Sequence, residues 1–271
     1  MRKNLVLTAA IGFHISQLKL FIKSLRKYYK EEICFIIGAN DKEIERELKK
    51  YDCEIVKTNI DKRDIQLKRY KIFLDFLKGK EFNDILFCDS RDVYFQSNPF
   101  NYSYKGSINF FLEDKKIGDC KFNSDWISKT YGVQVLNDLS EKIISCGGTV
   151  LGSQNSIKKF LTLMIDETSK HKFKKRLKYI LTFRRDKGSR GSDQAHGNFI
   201  AHNNLINDSY FYSNINGPVA TVYHLKRIKF NENYQLINSS NQPYLIVHQY
   251  DKKWDAFSKA VNFLKYKLKI D

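Results

Sequence analysis

Two carboxylates, Asp89 and Asp92, close a short apolar run in the segment Asp84-Ile-Leu-Phe-Cys-Asp89-Ser-Arg-Asp92-Val-Tyr-Phe-Gln96. The run Ile85 to Cys88 reads as a buried strand of an α/β sheet, and the carboxyl edge of such a sheet opens onto the ligand crevice. Hard oxygen ligands at that edge suit a divalent cation and a phosphate-bearing partner. The same residues would serve without chemistry as a strand-ending turn, the aspartates capping the next segment and pairing with Arg91. Three later segments add groups of the same kind. Ser145-Cys-Gly147-Gly148-Thr-Val-Leu-Gly152 sets paired glycines beside a strand, where backbone can approach a ligand closely or simply turn. Gly191-Ser-Asp193-Gln194-Ala-His196-Gly-Asn198 gathers polar side chains ahead of Phe199-Ile200. Ser192 or Asp193 is expected to cap a helix there, which does not exclude a substrate role. Tyr244-Leu-Ile-Val-His248-Gln-Tyr-Asp-Lys252 ends an apolar strand on a histidine, with a lysine four residues on. A lone histidine at a strand end is more often structural than a ligand, but this one has companions.

The elements that must position these groups follow from hydrophobic periodicity. Leu5 to Ala10 reads as a first strand, followed by a loop at Gly12 and an amphipathic helix over 15–29. Ile33 to Ile37 is a second buried strand, a charged helix covers 42–51, and Glu54 to Lys57 forms a short third strand. Helical spacing returns at 66–77 before Gly79 and the Asp89 strand. Alternating strands and helices predict a parallel sheet with helices on both faces. Ile108 to Leu112 is a further strand, the pattern turns irregular beyond residue 115, and Ile143 to Gly152 resumes it. No internal repeat, low-complexity linker or clean domain boundary interrupts the chain.

Composition bounds the function classes. At 271 residues, 42% hydrophobic and 14% aromatic, with 3 prolines and 13 glycines, the chain suits one large folded α/β domain. No apolar run approaches the roughly 18 residues that span a bilayer. The amino terminus reads as a core strand rather than a secretion signal, so a cytoplasmic location is expected. Cysteines 34, 53, 88, 120 and 146 are odd in number and form no C-x-x-C pair, which argues against a disulfide framework or zinc knuckle. Cys34 and Cys88 are expected to pack as small hydrophobes. The net charge of +17 calls for a partner or surface of opposite sign. Basic residues crowd 158–190 and the tail 259–270. In 171–185 they alternate with Leu, Tyr, Ile and Phe, a pattern that lies well on an anionic membrane leaflet and gains about 1 kcal/mol per Lys or Arg near the surface. Nucleic acid is the other anionic partner such a segment fits, and a solvated helix face is the plain alternative.

In order, the strand-ending Asp pair, the Gly-containing segment, the Asp-Gln pair and the strand-ending His with a following Lys resemble retaining glycosyltransferases of the GT-A fold, family 8 and its relatives being the nearest comparison. The resemblance spans landmarks from about Leu5 to Trp254. It implies a GT-A-like, Rossmann-type mixed sheet flanked by helices, in a single domain over 1–271 with a basic helical segment. A nucleotide-binding part would occupy about 1–115 and an acceptor and catalytic part about 116–271. It also implies Mn²⁺ (or Mg²⁺) held by Asp89, Asp92 and His248, and a nucleotide sugar, a UDP-sugar by likeness, as donor. Lys252 would contact the diphosphate, Gly147 and Gly148 would lie under the donor sugar, and Asp193 and Gln194 would stand beside the anomeric carbon. Arg69, on the helix before the metal strand, matches a donor-binding position. The acidic motif here is Asp-Ser-Arg-Asp, so D-x-D spacing falls on Arg91, which would turn toward the sugar or a phosphate. The Lys-Pro-Trp ending of family 8 is replaced by Lys253-Trp254.

Chemistry is consistent with that likeness. Transfer from a nucleotide sugar builds negative charge on a diphosphate oxygen, which a carboxylate-held cation, Lys252 and Arg69 would stabilise. Mixed oxygen and imidazole ligands suit Mn²⁺ better than Ca²⁺. An oxocarbenium-like sugar would be stabilised by a carboxylate such as Asp193. The expected acceptor is a glycan or lipid-linked glycan in surface polysaccharide assembly, with the enzyme docked by 158–190 on the inner membrane face and no nucleic acid involved. Two other classes compete. A haloacid dehalogenase-type phosphatase needs a second Asp where Arg91 stands, and its motif usually follows the first strand. A non-catalytic basic nucleic-acid binder accounts for the charge but leaves Asp89, Asp92, Asp193 and His248 without a task.

Overall fold

The alternating apolar runs and amphipathic stretches fold as a three-layer α/β arrangement. The computed structural model describes residues 2–62, 64–182 and 191–270, with the helix backbone alone over 174–182. Its elements begin β1 (Leu5–Ala9), α1 (Ile15–Tyr28), β2 (Glu32–Gly38), α2 (Lys42–Lys49), β3 (Glu54–Thr58), α3 (Ile65–Phe76), β4 (Asp84–Cys88), β5 (Val93–Phe95) and β6 (Ile108–Lys116). They continue α4 (Lys121–Tyr131), α5 (Val133–Leu139), β7 (Ile143–Ser153), α6 (Gln154–Thr182), α7 (Ser192–His202), β8 (Ser209–Tyr212), β9 (Val219–Thr221), β10 (Ile246–His248), a 3-10 turn (Tyr250–Lys253) and α8 (Trp254–Lys267).

The main sheet has seven strands in the order β3-β2-β1-β4-β7-β6-β8. It is mixed: β1 to β4 are parallel, β7 runs antiparallel to both β4 and β6, and β8 is parallel to β6. Elements on either side of residue 115 therefore share one sheet. Strands buried on both faces need apolar side chains at every position, and β4 meets that need from Ile85 to Cys88. Ile85 and Phe87 point into the core shared with α3 and α6, while Leu86 and Cys88 point into the core shared with α1 and α2. Cys34 and Cys88 are both fully buried in strands.

A second sheet of three strands, β5-β10-β9, packs against α1 and α8. The strand ending at His248 belongs to this small sheet and not to the main one. The stretch beyond 115 is more regular than its pattern suggests. It holds α4 and α5, whose apolar residues Ile127 and Leu139 close a small core with Ile117, Ile144 and Ala195 of α7. The basic segment 158–190 follows α6 to Thr182, and its remainder, 183–190, lies outside the described residues. Among the described residues, no helix is long and apolar enough to cross a membrane.

Candidate functional site

Two hydrogen-bond ladders, one from each sheet, converge on residues 89–92. In the main sheet Cys88 pairs with Thr149, and the next rung, Asp89 N–H to Gly148 C=O at 2.9 Å, sets Asp89 against the glycine pair of β7. In the small sheet His248 pairs with Val93, and Gln249 N–H to Asp92 C=O at 2.8 Å continues that ladder. The loop between is tied down by Ser90, whose hydroxyl donates to the Ala9 carbonyl at 2.8 Å. Asp89, Asp92 and His248 thus meet, each offering one ligand atom within 4.8 Å of the others.

His248 is 1% exposed, and its Nε2 has no hydrogen-bond partner. It stands 3.6 Å from Asp89 Oδ2 and 3.7 Å from Asp92 Oδ1, beyond hydrogen-bonding distance. The other ring nitrogen, Nδ1, lies 3.2 Å from Cys146 Sγ. When Nδ1 donates to that sulfur, Nε2 turns its lone pair toward the two carboxylates, the tautomer a metal ligand requires. Gly148 leaves the room: a β-carbon there would stand 2.4 Å from His248 Cε1 and 2.7 Å from Asp89 Oδ2. A buried, unpartnered imidazole nitrogen facing two carboxylate oxygens fits a divalent cation with mixed oxygen and nitrogen ligands.

The charges around this centre are arranged in pairs. Arg69, buried on α3, donates from Nη1 to Asp89 Oδ1 at 2.8 Å and reaches Asp193 Oδ2 at 3.7 Å with Nη2. Arg91 donates to Asp251 Oδ2 at 2.9 Å and stands 3.6 Å from Asp92 Oδ2. Burial pushes the Asp89 pKa up, but Arg69 and His248 outweigh it and hold the carboxyl well below the usual range. Asp92 moves the other way: burial raises it, Asp89 and Asp251 add to the rise, and His248 and Arg91 only partly oppose it. Burial likewise raises Asp193 against the pull of Arg69. For His248 burial acts downward, yet Cys146 and the two carboxylates lift its pKa well above the ordinary imidazole value. A metal-ligating imidazole must be deprotonated at the ligating nitrogen, so cation binding and a proton on Nε2 exclude one another.

Asp193 and Gln194 reach the site through α7. The expected side-chain cap is not formed: Gly191, in the left-handed region at φ 77°, occupies the N-cap position, and Ser192 and Asp193 are already helical. A β-carbon at Gly191 would overlap the Trp126 indole, so glycine fits this position on both counts. Asp193, in the first turn, faces Arg69. The Gln194 carboxamide is committed to β7, accepting from Gly147 N–H at 2.8 Å and donating to the Ser145 carbonyl at 2.7 Å. Asn198, fully buried one turn later, binds both backbone groups of Ser145. Those bonds lock the first turns of α7, which carry Asp193, to β7.

Two cavities flank Asp89. One, of about 410 Å³, is lined by Ile11, Gly12, Phe13, Lys62 and Ile65 and reaches Arg69, Arg91 and Asp92. The other, of about 660 Å³, runs past Asp193, Gln194 and Lys252 to Glu113, His224, Trp126 and Tyr223. Gln66 and Asp89 border both. Asp89, Asp92, His248, Arg69, Arg91, Gly147, Gly148, Asp193, Gln194 and Lys252 are thus brought to one region. Sequence reasoning missed Cys146 as the partner of His248, Asp251 as the partner of Arg91, and the Glu113–His224 pair. Cys146 stood next to the glycine pair and carried a weak signal. Glu113 and His224 carried none, being far apart in the chain. No family model and no curated protein matches the sequence.

Proposed function

We propose that this chain is a metal-dependent glycosyltransferase that moves a sugar from a nucleotide-sugar donor, a UDP-sugar by the resemblance, to a glycan or lipid-linked acceptor. The observation that carries the reading is the buried, partnerless Nε2 of His248 facing Asp89, which borders two cavities, and Asp92, which borders one. Asp89, Asp92 and His248 would hold Mn²⁺ or Mg²⁺, which supplies Lewis-acid stabilisation of a departing diphosphate.

The chain's own groups do the rest. The cavity beside Gly12, Phe13 and Ile65 receives the nucleoside, where Phe13 and Ile65 offer apolar surface and Lys62 a cation. Arg91 borders the smaller cavity and Lys252 the larger, and both bring positive charge to the phosphate oxygens. Gly147 and Gly148, which leave room for Gln194 and for His248 and Asp89, would lie beneath the sugar. Asp193, oriented by Arg69 and by the anchored α7, sets a carboxylate beside the cationic sugar as the bond to the leaving group lengthens, consistent with retention of configuration. Basic residues along 158–190 would dock the protein on an anionic inner leaflet close to a membrane-borne acceptor in surface polysaccharide assembly.

The test is thermal stability with Mn²⁺ against UDP, GDP, CDP and their sugars, in the wild type and in Asp92→Asn. Ligand at 100 times its Kd adds about 2.7 kcal/mol, which raises Tm by roughly 5–10 °C for a domain near this size. A shift with one nucleotide that needs Mn²⁺ and disappears in the variant supports the reading. No shift with any nucleotide sinks it and returns the basic surface to prominence.

A further inference from the structure

We propose that the larger cavity is a carbohydrate subsite in which a pyranose ring lies against Tyr223, Phe122 and Trp126 and hydrogen-bonds to the Glu113–His224 pair. That the bound sugar is the acceptor rests on the transferase reading; that a sugar binds does not.

The cavity encloses about 660 Å³, within the ordinary range of small-molecule sites. Its rim is aromatic and open to water, with Phe122 56% and Tyr223 43% exposed. Phe122 and Trp126 form a near-parallel panel, centroids 5.9 Å apart at 30°, contributed by consecutive turns of α4. Tyr223 overlaps His224 at 4.4 Å on another wall. Exposed rings gathered around one concavity mark a surface meant to be covered.

Deeper in the cavity lies Glu113, 7% exposed near the end of β6, with its Oε2 2.8 Å from His224 Nδ1. A buried carboxylate with one imidazole partner has further lone pairs for hydroxyl donors. An occupant must therefore have an apolar face for the rings and several hydroxyls for the carboxylate and imidazole. A pyranose has both: its axial C–H bonds point at the electron-rich ring faces, and its equatorial hydroxyls point at the edges. An acyl chain would leave the Glu113–His224 pair without a partner. A phosphate-rich ligand would meet Glu113, Asp193 and Asp89 with Lys252 as the cation among the lining residues. Charge thus disfavours nucleic acid here, although the chain as a whole is basic. The cavity continues to Asp193 and Asp89, so a sugar seated on the aromatic panel would present a hydroxyl toward the carboxylate centre.

The chain contains two tryptophans, at 126 and 254, so Trp254→Phe leaves Trp126 as the sole indole reporter. This protein is titrated with lactose, cellobiose and N,N′-diacetylchitobiose in the absence of metal and nucleotide. The expected result is a saturable change in Trp126 emission with at least one disaccharide, weakened about tenfold, equivalent to ~1.4 kcal/mol, by Tyr223→Ala and by Glu113→Gln. Phe122→Ala, which removes an exposed ring and leaves the core intact, is expected to weaken it too. No saturable change with any of the three sugars, or full-strength binding in Tyr223→Ala and Phe122→Ala, overturns the proposal. Sugar binding without a Mn²⁺-dependent nucleotide response upholds the subsite while removing the transferase; a nucleotide response without sugar binding does the reverse.

Discussion

Gly148 and His248, a hundred residues apart in sequence, are in such close apposition that a single β-carbon on the glycine would stand 2.4 Å from the imidazole Cε1. The glycine carbonyl simultaneously accepts from Asp89 N–H at 2.9 Å, so the strand cannot retreat without loosening the carboxylate. The missing side chain thus keeps His248 Nε2 aimed at Asp89 and Asp92.

Gly148→Ala tests that relationship. The added methyl must displace His248 or Asp89 Oδ2, and overpacking of this kind costs about 1–3 kcal/mol. The expected outcome is a folded protein with lowered Tm whose stability no longer responds to Mn²⁺. Calorimetric titration of Mn²⁺ into wild type and variant checks it, and unchanged affinity in the variant would show that the imidazole takes no part.

Arg69→Met addresses the charge balance. Arg69 is 9% exposed and holds Asp89 and Asp193, while its guanidinium lies 4.8 Å from the Phe87 ring centroid. Removing it leaves two carboxylates without their cation; the Asp89 side chain is 36% exposed, so solvent screens part of the loss and the cost falls below the about 3–5 kcal/mol of a fully buried pair. Urea unfolding of Arg69→Met is expected to show that loss, and adding Asp193→Asn should recover part of it because one stranded charge is then gone. If the single variant is as stable as wild type, the pairs contribute no stability.

His196 predicts acid sensitivity outside the carboxylate centre. Its ring is fully buried on α7, with Nδ1 2.6 Å from the Tyr131 hydroxyl, which in turn donates to Glu167 at 3.0 Å. The groups facing it are Tyr131 from α4 and Glu167 and His171 from α6. Burial lowers its pKa from 6.5 to about 4; His171 adds to the fall and Glu167 opposes it. Because the folded form resists the proton, the unfolded chain binds it first. Stability is complete above pH ~6.5 and falls as pH drops toward 4, by about 2 kcal/mol at pH 5. Denaturant unfolding of wild type and His196→Asn at pH 7 and pH 5 checks this, the variant being expected to lose less across the interval. An equal loss in both proteins would exclude His196 as the cause.

Much of the scaffold was legible because it rests on local patterning. The continuous apolar run Ile85 to Cys88 could satisfy only a strand covered on both faces, and that is where it lies. The amphipathic stretches became α1, α2 and α3 with ends shifted by a residue or two. Local pattern failed between 116 and 142. Helices α4 and α5 are short and bury few side chains each, so their periodicity is faint, and they gain order by closing a small core against β7 and α7. It also failed at the start of α7, where a left-handed Gly191 beneath Trp126 replaces the side-chain cap that Ser192 and Asp193 suggested.

The sequence by itself determined the kinds of groups available and their attachment to strand ends: Asp89 after β4, the glycines within β7, His248 after an apolar run. Only the tertiary structure decided which of them meet. The antiparallel reversal of β7 places Gly148 opposite Asp89, and the separate small sheet places His248 beside Asp92. Arg91 is turned to Asp251, and Glu113 is joined to His224 across more than a hundred residues. Strand order and register are set by the cooperative burial of whole sheet faces, a property of all the layers together that no local spacing encodes.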